Sequence, residues 1–142
     1  MALDSYGYRE GPRMLVSLPV DSSTSDITAG DLLAWGTAGY VQQAAAGANA
    51  VAGVAAESVA SPSADGDVSI LVDISELSIY EFPPDAGSVT QAIVGTTMDV
   101  GGARSINIDA SDDDIVRCVR VDTDANTAFV MLKTVTSYGG VA

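Results

Sequence analysis

From Ile27 onward the apolar positions fall in short clusters separated by turn residues, and no amphipathic stretch of helical period reaches twelve residues. Leu32-Leu-Ala-Trp35, then Gly36-Thr-Ala-Gly39, then Tyr40-Val-Gln-Gln43 has the form of two short strands around a tight reversal. Trp35, with its large apolar area, is expected to anchor the core. Residues 44–60 are alanine-rich, which favours helix, yet Gly47 and Gly53 would each cost about 1 kcal/mol inside one. The reading is a loop to Ala50 and a strand over 51–56, with a short helix as the alternative. Residues 62–67 have turn composition, and residues 68–74 form the clearest strand signal in the chain. Residues 77–82 alternate with apolar groups on both faces, as where sheets or subunits pack together. Pro83-Pro84 ends that run.

The last third repeats the theme. Strands are expected over 89–94, 96–100, 105–108, 115–121 and 127–135, with the charged loop 109–114 and the turn 122–126 between them. The count comes to about nine short strands. The class is mainly β: a compact small β-barrel or sandwich-like domain over residues 25–142, with at most one or two short helices. Residues 1–24 read as an extended N-terminal arm that holds Tyr6, Tyr8, Arg9 and Arg13 and ends in the polar linker 21–26. Tyrosine and arginine are enriched at interface hot spots, so these four are the candidate partner-binding residues. Few arm residues look like core, so removal of residues 1–20 is expected to leave the domain folded.

Composition narrows the chemistry. The 142 residues are 47% apolar, so a chain with 19 acids, 6 bases and a formal charge of −13 still folds rather than remaining an acidic tail. No histidine is present, which removes the usual general base and the histidine-dependent nucleophile and zinc arrangements. Cys118 is the single cysteine, so no intrachain disulfide or cysteine-built zinc site can form, and it reads as a buried apolar filler. No base occurs between Leu15 and Gly102, which disfavours nucleic acid as a partner. No apolar run approaches a membrane span, and the first residues lack a secretory signal pattern.

Two acidic clusters invite a metal reading. Asp122-Thr-Asp124-Ala-Asn126 opens like a calcium loop, but Thr127 and Lys133 stand where a glycine and a bidentate glutamate are needed. A hairpin turn built on Asx hydrogen bonds is the better account. Asp112-Asp-Asp114 reads as a solvated loop. Nineteen acids could supply a carboxylate pair for glycoside hydrolysis, yet no feature singles one out. Neither a catalytic residue nor a metal or cofactor site is assigned.

Four segments occur in an order that resembles bacteriophage capsid cement, or head decoration, proteins. These are Asp26-Ile-Thr-Ala-Gly-Asp-Leu-Leu-Ala-Trp-Gly-Thr-Ala-Gly-Tyr-Val-Gln-Gln-Ala44, then Val51-Ala-Gly-Val-Ala-Ala-Glu57, then Gly66-Asp-Val-Ser-Ile-Leu-Val72, then the closing stretch 115–132. The resemblance spans roughly residues 26–132. It implies a small β-rich structural protein with no catalytic motif, made in the bacterial cytoplasm and placed on the outer surface of the virion. It would bind the major capsid protein, clamp neighbouring capsomers and associate with itself, as a homotrimer. It offers no match for residues 1–24. A tail- or fibre-associated receptor-binding β domain is the alternative function.

Overall fold

In the computed structural model, which describes residues 7–133, the elements in chain order are eleven strands. They are β1 (Gly7–Glu10), β2 (Leu15–Pro19), β3 (Leu32–Trp35), β4 (Val41–Gln43), β5 (Val51–Ala55) and β6 (Ser69–Asp73). There follow β7 (Ile79–Phe82), β8 (Thr97–Gly102), β9 (Ser105–Asn107), β10 (Val116–Asp122) and β11 (Thr127–Leu132). The expected mainly-β class is what the chain adopts, with single 3-10 turns at Thr37–Gly39 and Gln91–Ile93. The strands make two antiparallel sheets: sheet A in the order β1-β7-β11-β10-β8-β9, and sheet B in the order β2-β6-β5-β3-β4.

Each sheet is drawn round on itself by one isolated bridge, which leaves the outer edge of β1 in sheet A and most of that of β2 in sheet B unpaired among the described residues. In sheet B a parallel bridge joins Val20, just past β2, to Val41 in β4, with the Asp21 N–H donating to the Val41 carbonyl at 2.8 Å. In sheet A, Pro84 bridges to Ile106, and the Ile106 N–H reaches the Pro83 carbonyl at 3.0 Å. Two apolar clusters result. One collects Tyr80, Phe82, Met98, Val100, Ile106, Val116, Cys118 and Val130 of sheet A together with Leu32, Val51 and Val54 of sheet B. The other lies within sheet B and holds Val20, Ile27, Leu33, Val41, Ala52, Ala55, Ile70 and Val72.

Strands β3 and β5 stand between these clusters, which is why their sequences are continuously apolar instead of alternating. Leu32 faces one cluster and Leu33 the other, and β5 is buried along its whole length. Glycine is required at position 53, because a Cβ there would run into the Asp73 carbonyl oxygen of β6. The strand expected over 51–56 is therefore present and the helical alternative is not.

Three expectations change. Residues 7–20 are extended, but they do not stand apart as an arm: β1 pairs with β7 of sheet A and β2 with β6 of sheet B. Their apolar positions explain this, since Val16 and Leu18 lie opposite Val72 and Ile70, and Val20 is fully buried. Trp35 is half-buried at the margin of the sheet-B cluster, while Tyr80 and Phe82 are the largest fully buried side chains. Residues 89–94 hold no strand. The Val89 N–H is taken by the Asn126 side chain at 2.8 Å, and Gln91–Ile93 closes a 3-10 turn ahead of Gly95.

Candidate interaction surface

Of the four residues singled out in the opening segment, Tyr6 lies outside the described residues. The other three are turned inward onto the fold. Tyr8 lies opposite Tyr80 across β1 and β7, makes an edge-on ring contact with it at 6.4 Å, and donates its hydroxyl to the Gly11 carbonyl at 2.7 Å. Arg9 pairs with Glu81 at 2.9 Å. Arg13 lies 4.3 Å from the centre of the Tyr8 ring and 3.5 Å from the Asp73 carboxylate. These contacts fasten the segment to the domain.

Buried acids are the next place to look for chemistry, and each is occupied by a structural task. Asp73, fully buried in β6, accepts from the Met14 and Ser75 N–H groups, the Ser78 hydroxyl at 2.7 Å and the Tyr80 hydroxyl at 2.8 Å. Burial alone would raise its carboxyl, but these donors together hold it below the ordinary aspartate value. The same burial, reinforced by the Asp73 charge, drives the Tyr80 hydroxyl far above its usual value, so it stays a donor. Asp31, also fully buried, takes Arg104 from the β8–β9 turn at 2.5 Å, Gln43 at 2.8 Å and the Thr28 N–H at 2.9 Å. Glu81 takes Arg9 and the Thr127 hydroxyl.

Asp99 is held differently. Its carboxylate accepts the backbone N–H groups of Asp112, Asp113 and Asp114 at 3.1, 2.8 and 3.1 Å. Burial opposes the charge, yet the three donors win and its carboxyl sits low. Loop 109–114 is thereby clamped by its backbone, and Asp114 adds a 2.8 Å bond from Thr97. The turn 122–126 is an Asx turn as expected: Asp122 Oδ1 accepts from the N–H groups of Asp124 and Ala125, both at 3.0 Å. Cys118 is fully buried, and burial pushes its thiol up, so it fills space as expected. Among the described residues no buried side-chain N or O lacks a partner, and no group of three metal-ligating side chains gathers. No helix among them is long and apolar enough to cross a membrane.

What stands out is on the surface. Among the described residues the exposed large apolar ones are Met14 at 59%, Leu15 at 45%, Leu71 at 37% and Leu77 at 61%, and all belong to two neighbouring segments. Leu15 lies opposite Asp73 and Ser17 opposite Leu71, which puts Leu15 and Leu71 on one face. Hydrogen bonds from Ile74 N–H to the Met14 carbonyl and from Ser78 to the Pro12 carbonyl tie the two segments together. Strand β2 also ends sheet B. Met14 and Val20 bond toward β6 and its flanks, so by alternation the backbone of Leu15, Ser17 and Pro19 faces away from it. Pro19, which has no N–H, suits such an edge.

Beyond Leu77 the strip meets a hollow of about 150 Å³ lined by Glu76, Leu77, Arg117, Met131, Leu132 and Lys133. Arg117 lies opposite Met131 across β10 and β11, and Lys133 follows two positions later, which carries all three to the outer face of sheet A. Arg9, Arg13, Arg104 and Arg120 each have a carboxylate partner, whereas Arg117 and Lys133 have no ion-pair partner among the described residues. No family model, curated protein or solved structure matches this chain. The surface therefore has to be read from its own chemistry.

Sequence reasoning missed this strip because each of its residues is unremarkable alone. Leu15, Leu71 and Leu77 sit in runs with the pattern of core strands. A signal was present in Pro19, which marks an edge strand, and in the apolar groups on both faces of residues 77–82.

Proposed function

We propose that this protein is a structural decoration protein of a bacteriophage head, which binds the outside of the shell and clamps neighbouring subunits without catalysing a reaction. The observation that carries this reading is the group of exposed large apolar residues: Met14 and Leu15 at the edge strand β2, Leu71 on the neighbouring β6, and Leu77 just ahead of β7 in sheet A. A run of large exposed apolar side chains beside a free strand edge is a cost in an isolated protein and a gain in an assembled one. Two further features support it. The segments that resemble decoration proteins are all structural: the Gly30-Asp31 turn precedes β3, residues 51–55 form β5, Gly66-Asp67 precedes β6, and residues 116–132 hold the β10–β11 hairpin. The buried carboxylates are spent on holding the sheets, which favours a binding role over a hydrolytic one.

In this reading the partners are the major capsid protein and further copies of the chain. Contacts repeated over many copies retain the protein by avidity. The net charge of −13 keeps decorated particles apart. The test is to mix purified protein with undecorated, tailed particles and image them by cryo-electron microscopy. Ordered density over the outer shell, at a copy number near that of the capsid protein, is expected. Absence from the shell at saturating concentration would refute decoration, and scarce density confined to the tail would favour receptor binding.

A further inference from the structure

We infer that the hollow bounded by Leu77, Arg117, Met131 and Lys133 is a docking site for an acidic segment of another protein that carries an aliphatic side chain beside its carboxylates. That this partner is a shell subunit rests on the decoration reading; the chemistry of the site does not.

With 19 acids for 6 bases, a base on this protein has carboxylates in abundance to pair with. Four bases are paired, three of them with buried acids. The two others are exposed and line the same hollow, in which Glu76 is the one carboxylate among the described residues. The hollow is thus locally positive on a strongly negative molecule. The β10–β11 register fixes Arg117 beside Met131, so the cation and the apolar floor are presented together by a rigid hairpin. Leu77 closes one side and is the most exposed large apolar residue of the described chain.

These features select an occupant. A basic segment would meet two like charges here, and an uncharged apolar one would leave both cations unanswered. An acidic segment would be repelled by most of the surface and attracted at this place, which fixes where and in which orientation it docks. A hollow of about 150 Å³ accepts one side chain rather than a folded element, so the fit is one aliphatic group with carboxylates on either side. The cations are exposed, so the attraction is screened over a Debye length of about 8 Å at physiological ionic strength and weakens as salt is added.

The experiment uses the full chain labelled with 15N and three end-capped pentapeptides: Glu-Asp-Leu-Asp-Glu, Glu-Asp-Ser-Asp-Glu and Lys-Lys-Leu-Lys-Lys. The acidic leucine peptide is expected to shift the amide signals of Leu77, Arg117, Met131 and Lys133, with an affinity in the millimolar range. The serine and lysine peptides, and the double variant R117E/K133E, should each weaken binding at least tenfold. R117Q/K133Q should give an intermediate loss, and Arg120→Glu, on the same sheet face but already paired with Glu10, should change binding less than twofold. Equal binding of the lysine peptide, no shifts at the hollow, or undiminished binding by R117E/K133E would overturn the inference. Undecorated heads separate the two proposals. If heads bind wild type and R117E/K133E equally, decoration stands and the shell subunit falls as the partner of this site. If heads bind neither while the acidic leucine peptide binds as expected, the docking site stands and decoration falls.

Discussion

Sheets A and B follow the same antiparallel rules but treat charge and bulk in opposite ways. The inner cluster of sheet B is aliphatic, built from valine, leucine, isoleucine and alanine, and no base occurs from Leu15 to Asp73, where all its strands lie. Sheet A carries Tyr80, Phe82 and Met98 inside and Arg9, Arg117 and Arg120 on its strands. Yet sheet B buries two carboxylates, Asp31 and Asp73, completely. It meets that cost with borrowed cations: Arg104 reaches across from the β8–β9 turn, and Arg13 comes from the link between β1 and β2. A sheet without bases can hold buried acids only where a neighbour supplies donors. Charge therefore couples the two halves, beyond the apolar cluster that they share.

Removing residues 1–20 attacks that coupling most directly and should have the largest effect. It takes away β1, β2 and the buried Val20, and it strips Arg9 from Glu81 and Arg13 and the Met14 N–H from Asp73. Orphaning one buried charge costs about 3–5 kcal/mol, and a domain has about 5–15 kcal/mol in all. The truncated chain should lose its cooperative thermal transition in circular dichroism. A melting curve like that of the intact protein would mean that the opening segment is an arm after all.

The sequence made most of the strands from 32 to 132 legible, because each apolar run there is bounded by glycine, proline or aspartate. The hairpin β3–β4, strand β5 and the Asx turn at 122–126 were readable for that reason. The two strands before residue 20 were not. Tyr8, Arg9 and Arg13 have the composition of an interface, and their partners Tyr80, Glu81 and Asp73 lie 60 to 72 residues away, beyond the reach of local patterning. Nor could spacing show that the Asp99 carboxylate would gather the N–H groups of residues 112–114, because backbone donors leave no mark in a sequence. Exposed leucines on a strand edge look like core leucines until the neighbouring strand is known to be absent.

The two carboxylate ties should differ in strength. Asp73→Ala takes the carboxylate from the Ser78 and Tyr80 hydroxyls and from the Met14 and Ser75 N–H groups, leaving the hydroxyls only carbonyls at 3.1 and 3.5 Å, a loss of about 3–5 kcal/mol. Arg104→Ala removes a side chain that is half exposed, and Asp31 keeps Gln43 and the Thr28 N–H, so the expected loss is about 1–3 kcal/mol. Urea unfolding of both variants would measure the difference. Equal losses would show that the sheets are joined as firmly at Arg104 as at Asp73.

Acid should weaken both sheets at once. The Asp73 and Asp99 carboxyls sit lower in the fold than in the unfolded chain, where aspartate titrates near about 3.9. As pH falls the unfolded chain takes up protons first, so this contribution to stability is whole above about pH 5 and drains below about pH 4. Urea midpoints between pH 7 and pH 3 should fall toward the acid end. Asp99→Asn should make that fall shallower, since one of the two low carboxyls is gone. An unchanged slope would place the acid sensitivity elsewhere.

The smallest effect on stability is expected where the functional effect is largest. Leu15 and Leu71 lie on the outer face of sheet B with much of their surface already in water, so folding gains little from them. Exposed substitutions of this kind shift stability by about 0.5 kcal/mol or less. The double change Leu15→Ser and Leu71→Ser should therefore melt with the parent, while occupancy on undecorated heads, read by sedimentation of the bound fraction, falls severalfold. The mirror change on sheet A, Arg120→Ser, breaks only an exposed pair with Glu10 and a stack on Phe129, and should alter occupancy little. If the sheet-B pair leaves occupancy intact while Arg120→Ser lowers it, the strand edge is not the surface that grips the shell, and the contact belongs on the outer face of sheet A.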